Sequence, residues 1–211
     1  MPFQFPVQYY SREGSSDKYL LLLHGYRLNA RKALIDFEDM IPKEYNIIAP
    51  NGYFPIPKSD KHISRLGYSW YFEDHKTGKS AFSVKDATSN LAHFLNQLSL
   101  NDKDITVFGF SQGAVIGLSL VDVFTKIKNL VLLSTIPRLS VHKTDRKLNI
   151  LALNGKEDEF MDFDLACIDY EQLKEYGHDV VFEGFAKIGH NLGPAASDLK
   201  PKIKQFLEET L

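Results

Sequence analysis

Ile105-Thr106-Val107-Phe108-Gly109-Phe110-Ser111-Gln112-Gly113-Ala114-Val115-Ile116-Gly117-Leu118 passes from an apolar, strand-like run into a helix-like one, with only Gly109 to Gly113 between them. A strand that becomes a helix over so few residues needs a very sharp turn. Glycines on either side keep side chains from colliding with the adjoining strand and helix, and the residue at the apex is left strained. That residue is Ser111, whose hydroxyl is expected to stand exposed above a sheet.

Working outward, short apolar runs bounded by polar or turn residues recur at Tyr19 to Leu23, Tyr45 to Ala49, Ile105 to Phe108, Leu130 to Leu133, Ile150 to Leu153 and Val180 to Phe182. Most are near-continuous rather than alternating, as in strands covered on both faces. Segments with helical spacing lie between them: Ala30 to Ile41, Val84 to Leu98, Gln112 to Phe124, Asp164 to Tyr176 and Asp198 to Leu211. Gly177 is expected as a C-cap, and Pro201 fits the first turn of the last helix if Asp198 caps it. The alternation predicts an α/β fold with a doubly wound, mostly parallel sheet and helices on both faces. A further N-terminal strand is expected around Phe5 to Tyr10. One long connection, Pro50 to about Ser83, shows no clear period and holds Tyr53, Phe54, Tyr68, Trp70, Tyr71 and Phe72. Two readings stay open for it: a pocket wall at the strand ends, or a surface loop pinned by its own aromatic cluster.

The chain has 211 residues, 44% of them hydrophobic, enough to bury one large core, so a single domain over residues 1–211 is expected. With 25 basic and 27 acidic residues spread along the sequence, no polybasic footprint for nucleic acid or an anionic membrane is visible. The N-terminus lacks a basic start followed by an apolar core, and no run is long enough to span a bilayer, so a soluble, cytoplasmic protein is expected. The single cysteine, Cys167, excludes an intramolecular disulfide.

A serine hydroxyl is a weak nucleophile near neutrality and needs a base within hydrogen-bond reach; that base needs an acid to fix its tautomer. Asp158 follows the run Ile150 to Leu153, with Glu157, Glu159 and Asp162 competing for the acid role; His190 follows the last apolar run. His62, His75, His93, His142 and His178 fall where surface or packing histidines are commoner than bases. His24, in Leu23-His24-Gly25, is expected to brace a loop. An oxyanion would be met by the amide of Gln112, at a helix N-terminus, and by that of Tyr26.

With these residues in view, the chain resembles the phospholipase/carboxylesterase family of small α/β-hydrolases, the group that includes acyl-protein thioesterases and bacterial carboxylesterases. Leu22-Leu23-His24-Gly25-Tyr26 with Asn29 looks like its L-H-G-Y-G-x-N start, Gly67 to Phe72 its aromatic segment, Gly109 to Gly113 its G-F-S-Q-G elbow, Gly155-Lys156-Glu157-Asp158 its G-x-x-D, and Gly189-His190 its G-H. The resemblance spans nearly the whole chain. It implies ester or thioester hydrolysis without metal or cofactor by Ser111, Asp158 and His190, with Asp158 singled out as the acid by its spacing from Gly155. Four departures are visible: Arg27 replaces the family's second glycine in the oxyanion loop, Asn154 a frequent histidine before Gly155, Met161-Asp162 the usual Val-Pro, and Ala114 a frequent glycine after the elbow.

The expected protein is therefore a carboxylesterase acting on short to medium acyl chains. Arg27, Trp70, Tyr71 and Phe72 are the expected substrate contacts. The segment from Ser134 to Lys147 is too short for a separate lid domain. Acyl-protein or acyl thioesterase and lysophospholipase activities share the same triad chemistry and remain open within the class. A small-molecule ester or thioester, or an acylated protein, is the expected partner. The reading from a different class is a non-catalytic ligand-binding protein on the same fold.

Overall fold

Tyr19–Leu23 forms a strand, β2, whose leucines alternate: Leu20 and Leu22 join one apolar layer, Leu21 and Leu23 the other, and all four are buried. Burial on both faces is why the run reads as continuous. The computed structural model describes residues 7–57, 66–74, 79–137 and 146–211. Around β2 are β1 (Tyr9–Arg12), β3 (Asn46–Pro50), β8 (Ile105–Phe110), β9 (Ile127–Leu133), β10 (Asn149–Gly155) and β11 (Asp179–Phe185). They form one seven-stranded sheet in the order β1-β3-β2-β8-β9-β10-β11. Only β1 runs antiparallel, along β3; the other pairs are parallel. The order reverses beside β2, so the loops after β2 and β8 diverge at that point, the crevice where open α/β sheets bind ligands.

Helices cover both faces. Residues of α2 (Val84–Gln97), α3 (Gln112–Leu120) and α4 (Phe163–Glu175) join the layer holding Leu21, Leu23 and Val107. Residues of α1 (Ala30–Phe37) and α5 (Ala196–Glu209) join the layer holding Leu20, Leu22 and Phe108. The start of α2 is a capping box: Ser83 Oγ accepts the Asp86 amide and the Asp86 carboxylate accepts the Ser83 amide. The end of α4 is a Schellman-type stop, with Gly177 at φ 92, its amide bonded to the Lys174 carbonyl, and the His178 amide bonded to the Leu173 carbonyl.

Several boundaries differ from expectation for identifiable reasons. The N-terminal strand is displaced to Tyr9–Arg12, because its register is set by pairing with β3, from Tyr9 opposite Pro50 to Arg12 opposite Ile47; residues 1–6 lie outside the described set. Helix α1 stops at Phe37 and tightens into a 3-10 turn, Glu38–Met40, and α3 stops at Leu120. Asp198 does not cap α5. A 3-10 turn, Gly193–Ala195, leads directly into that helix, whose N-cap is Ala195, so Asp198 lies in the first turn, favoured by the helix dipole, and Pro201 lies inside the helix.

The long connection after Pro50 is not irregular. It contains two hairpins, β4 (Phe54–Pro57) with β5 (Leu66–Ser69) and β6 (Phe72–Asp74) with β7 (Lys79–Phe82). Strands of three or four residues, one carrying Pro55 and Pro57, show too little period to be read. Tyr53, Phe54, Trp70, Phe72 and Phe82 pack ring against ring between them. His62, His75 and His142 lie outside the described residues, as does 138–145 of the connection read as too short for a lid. Among the described residues no helix is long and apolar enough to cross a membrane.

Candidate active site

The elbow follows from three local facts. Strand β8 runs to Phe110, helix α3 starts at Gln112, and Ser111 alone makes the turn, at φ 53 and ψ −119. Such a conformation costs a non-glycine residue about 1–3 kcal/mol. It is held by the Ser111 amide donating to the Leu133 carbonyl (2.8 Å) and by the Ser111 carbonyl accepting from Ala114 (2.9 Å) and Val115 (3.2 Å). A Cβ at Gly113 would overlap the carbonyl oxygens of Leu23 and His24, and one at Gly109 would press on the backbone of Ala114. The glycines of the pentapeptide are thus steric requirements of packing β2, β8 and α3 together.

Two loops at the same edge of the sheet converge on Ser111. His190 Nε2 lies 2.9 Å from Ser111 Oγ, and His190 Nδ1 lies 2.8 Å from Asp158 Oδ2. A carboxylate only accepts, so Nδ1 carries the proton and Nε2 is left as an acceptor facing the serine hydroxyl. The Asp158 side chain is 1% exposed, and its other oxygen, Oδ1, accepts the amides of Phe160 and Met161, both at 2.9 Å. The two amides fix the carboxylate, so Oδ2 holds one ring orientation. Glu157, Glu159 and Asp162, the competing acids, are elsewhere: Glu159 accepts the His190 amide (3.1 Å) and Asp162 caps α4. The amides of Glu159 itself and of His190 hold the Glu159 carboxyl below the usual range.

The two loops are also tied to each other. The Glu157 amide donates to the Ile188 carbonyl (2.9 Å), Lys156 to Phe185 (2.9 Å), and Ser134 Oγ to the His190 carbonyl (3.0 Å). A Cβ at Gly155 would overlap the carbonyls of Ile188 and Gly189. The glycine three residues before Asp158 is therefore what lets the acid loop lie against the histidine loop. Asn154 bridges β10 to the chain after β9, accepting the Thr135 amide (3.2 Å) and donating to the Thr135 carbonyl (2.9 Å).

On the other side of Ser111, the exposed Tyr26 and Arg27 form the loop after β2. Among the described residues the amides of Tyr26 and Gln112 have no hydrogen-bond acceptor, leaving two donors at the elbow. Arg27 adopts φ 59, the left-handed region that favours glycine, while its amide donates to the Tyr68 carbonyl (2.9 Å). A glycine, which the resemblance leads one to expect there, adopts this conformation without strain. Arg27→Gly is therefore expected to raise stability by about 0.5–1 kcal/mol, read as a higher urea midpoint at unchanged slope.

The aromatic segment serves the elbow more than it lines a site. Trp70, expected as a substrate contact, is fully buried: its indole N–H donates to the His24 carbonyl (2.8 Å) and its ring packs on His24 and Tyr53. It presents no surface to a ligand. Tyr71 is buried as well, and only Phe72 of the three is exposed. The Gln112 side chain, not weighed from the sequence, clamps this segment to the elbow, accepting the Trp70 amide (2.9 Å) and donating to the Tyr71 carbonyl (2.9 Å). His24 is fully buried; Nδ1–H donates to the Gly25 carbonyl (2.8 Å) and Nε2 accepts the Gly52 amide (2.9 Å). Phe160 is the residue at the site that no sequence signal marked: its ring stands edge-on to that of His190, centroids 5.1 Å apart.

A mostly parallel sheet covered on both faces, with a serine at a strand-to-helix elbow and an acid and a histidine on later loops, defines an α/β-hydrolase. The sequence profile of the phospholipase/carboxylesterase family matches residues 10–210, and the chain belongs to that family. Among solved structures it is similar to a Bacillus cereus carboxylesterase (TM-score 0.72, 17% identity, 93% of this chain and 94% of that one). It is also similar to acyl-protein thioesterase 2 of Zea mays (0.71, 17%, 96% and 99%) and to a Mesorhizobium loti carboxylesterase (0.69, 25%, 90% and 90%). Among curated proteins none matches the chain.

Proposed function

We propose that the protein is a serine hydrolase that cleaves carboxylic esters of short to medium acyl chain. The observation that carries this reading is the pair of contacts through His190, 2.9 Å to Ser111 Oγ and 2.8 Å to Asp158 Oδ2. His190 Nε2 takes the Ser111 proton as Oγ bonds to the acyl carbon, and Asp158 stabilises the imidazolium. The carbonyl oxygen, now an oxyanion, is met by the amides of Tyr26 and Gln112 at the positive end of α3; one such donor is worth about 2.7–4 kcal/mol. The bond to the leaving oxygen breaks as that oxygen takes the proton from Nε2, and the alcohol departs. Water then adds to the acyl-enzyme, giving its proton to His190; the acid leaves and Ser111 regains its hydrogen. No step calls on a cofactor.

Phe72, exposed beside the clamped Tyr71, is the member of the aromatic segment able to touch an acyl chain. Arg27, exposed at the rim, offers its guanidinium to an anionic substrate group. Thioester cleavage uses the same atoms, so an acyl-thioesterase or lysophospholipase role on a small molecule or an acylated protein is the second reading, favoured by the family alone. Purified protein mixed with p-nitrophenyl acetate, butyrate, octanoate and hexadecanoate tests the proposal. Turnover is expected to peak at or below the octanoate, with a fluorophosphonate labelling Ser111. No turnover and no labelling would instead leave a ligand-binding protein on this fold.

A further inference from the structure

We infer that Phe160 is a specificity-determining residue that receives the alcohol half of the substrate and favours apolar, above all aromatic, leaving groups. This rests on the hydrolase reading above. The chemistry fixes where the two halves of an ester lie. The carbonyl oxygen faces the amides of Tyr26 and Gln112, and the leaving oxygen must come within hydrogen-bond reach of His190 Nε2, because it takes its proton there as its bond to the acyl carbon breaks. The group attached to that oxygen therefore passes beside the His190 ring.

Among the described residues two aromatic rings flank that ring. Phe110, at 5.4 Å, is half-buried and packs into the core against Phe37. Phe160, at 5.1 Å and 77° to the imidazole, belongs to neither apolar layer and is 71% exposed. Packing gives no reason for a phenyl ring there. Its backbone is nevertheless anchored, because its amide donates to Asp158 Oδ1, on the same carboxylate whose Oδ2 orients His190. The Phe160 backbone is thus tied to the carboxylate that orients His190, and the ring stands edge-on to the imidazole with its surface open to solvent. A leaving group laid on it removes apolar area from water on both partners, and an aromatic one adds ring-to-ring attraction.

The test compares methyl, hexyl and benzyl butyrate, which share one acyl-enzyme. Phe160→Ala is expected to lower the benzyl-to-methyl ratio of kcat/KM by about tenfold, and Phe160→Leu to restore the hexyl-to-methyl ratio but not the benzyl one. The rate of butyryl-enzyme hydrolysis, measured in single turnover after the alcohol has left, is expected to stay within about twofold. Equal slowing of all three esters together with slower deacylation would overturn the inference, since Phe160 would then only prop His190. An unchanged ratio would overturn it too. A parent protein that cleaves none of the esters and takes no fluorophosphonate would overturn the hydrolase reading itself, and this inference with it.

Discussion

Replacing Ser111 with alanine is expected to lower kcat/KM on a p-nitrophenyl ester by roughly five to six orders of magnitude, leaving only what binding and the two amides supply. The more discriminating variant is Asp158→Asn. In the parent, Oδ1 accepts two amides, from Phe160 and Met161, and Oδ2 accepts His190 Nδ1–H. An asparagine keeps its single oxygen on the two amides, because they can only donate, and so turns its NH2 toward His190. Nδ1 must then accept, the ring proton moves to Nε2, and the nitrogen facing Ser111 Oγ can no longer take its hydrogen. A loss of about four orders of magnitude in kcat follows, with KM little changed and the fold intact by circular dichroism. Steady-state kinetics with an active-site titration checks both variants. An Asp158→Asn protein with more than a tenth of the parent rate would show that the carboxylate does not set the tautomer.

That this much of the candidate site is legible in the sequence has a physical reason. The elbow, the acid loop and the histidine loop must each pass close to another backbone, and close passage requires glycine: Gly113 against Leu23 and His24, Gly155 against Ile188 and Gly189. Each such glycine lies two or three residues from the side chain it serves, Gly113 from Ser111 and Gly155 from Asp158, so a fixed spacing remains in the sequence, and Ser111, Asp158 and His190 could be named from spacing and resemblance. The central strands were equally plain, since burial on both faces leaves continuous apolar runs. What could not be read depends on contacts that leave no glycine or fixed spacing behind. Trp70 resembles a pocket-lining residue until its indole is seen donating to the His24 carbonyl, 46 residues away. Glu159 and Ser134, which hold the two ends of the His190 peptide, are ordinary loop residues until β10 and β11 are set side by side. Arg27 is the instructive middle case. Its side chain departs from the family pattern, while its backbone, at φ 59, lies in the region that a glycine adopts without strain.

The same constraint that braces the loop after β2 is expected to make the fold acid-labile through His24. His24 is enclosed, and its two nitrogens are spoken for in opposite senses: Nδ1–H donates to the Gly25 carbonyl while Nε2 must accept the Gly52 amide. A second proton would sit on Nε2, facing a donor in a fully buried space. Burial accordingly holds the imidazole down at about 4, against an ordinary value of 6.5. Because the folded value is the lower one, the unfolded chain binds the extra proton first. The stabilisation is whole above pH 6.5 and is lost progressively as pH falls from there to about 4. Two and a half pH units correspond to about 3 kcal/mol, a large share of a domain's stability. Carboxylates such as Asp86 and Asp104, whose folded values are also lowered, weaken the protein at acid pH by their own route. The His24 part is isolated by difference. His24→Gln keeps an oxygen able to accept the Gly52 amide but has no proton to gain, so it is expected to be the less stable protein at pH 7.5. Urea unfolding at pH 7.5, 6.5, 5.5 and 4.5 should show the gap between parent and variant shrinking by most of those 3 kcal/mol. A gap constant across that range would mean that the His24 imidazole takes its second proton without cost, and that the brace beneath Tyr26 and Arg27 is looser than its two hydrogen bonds imply.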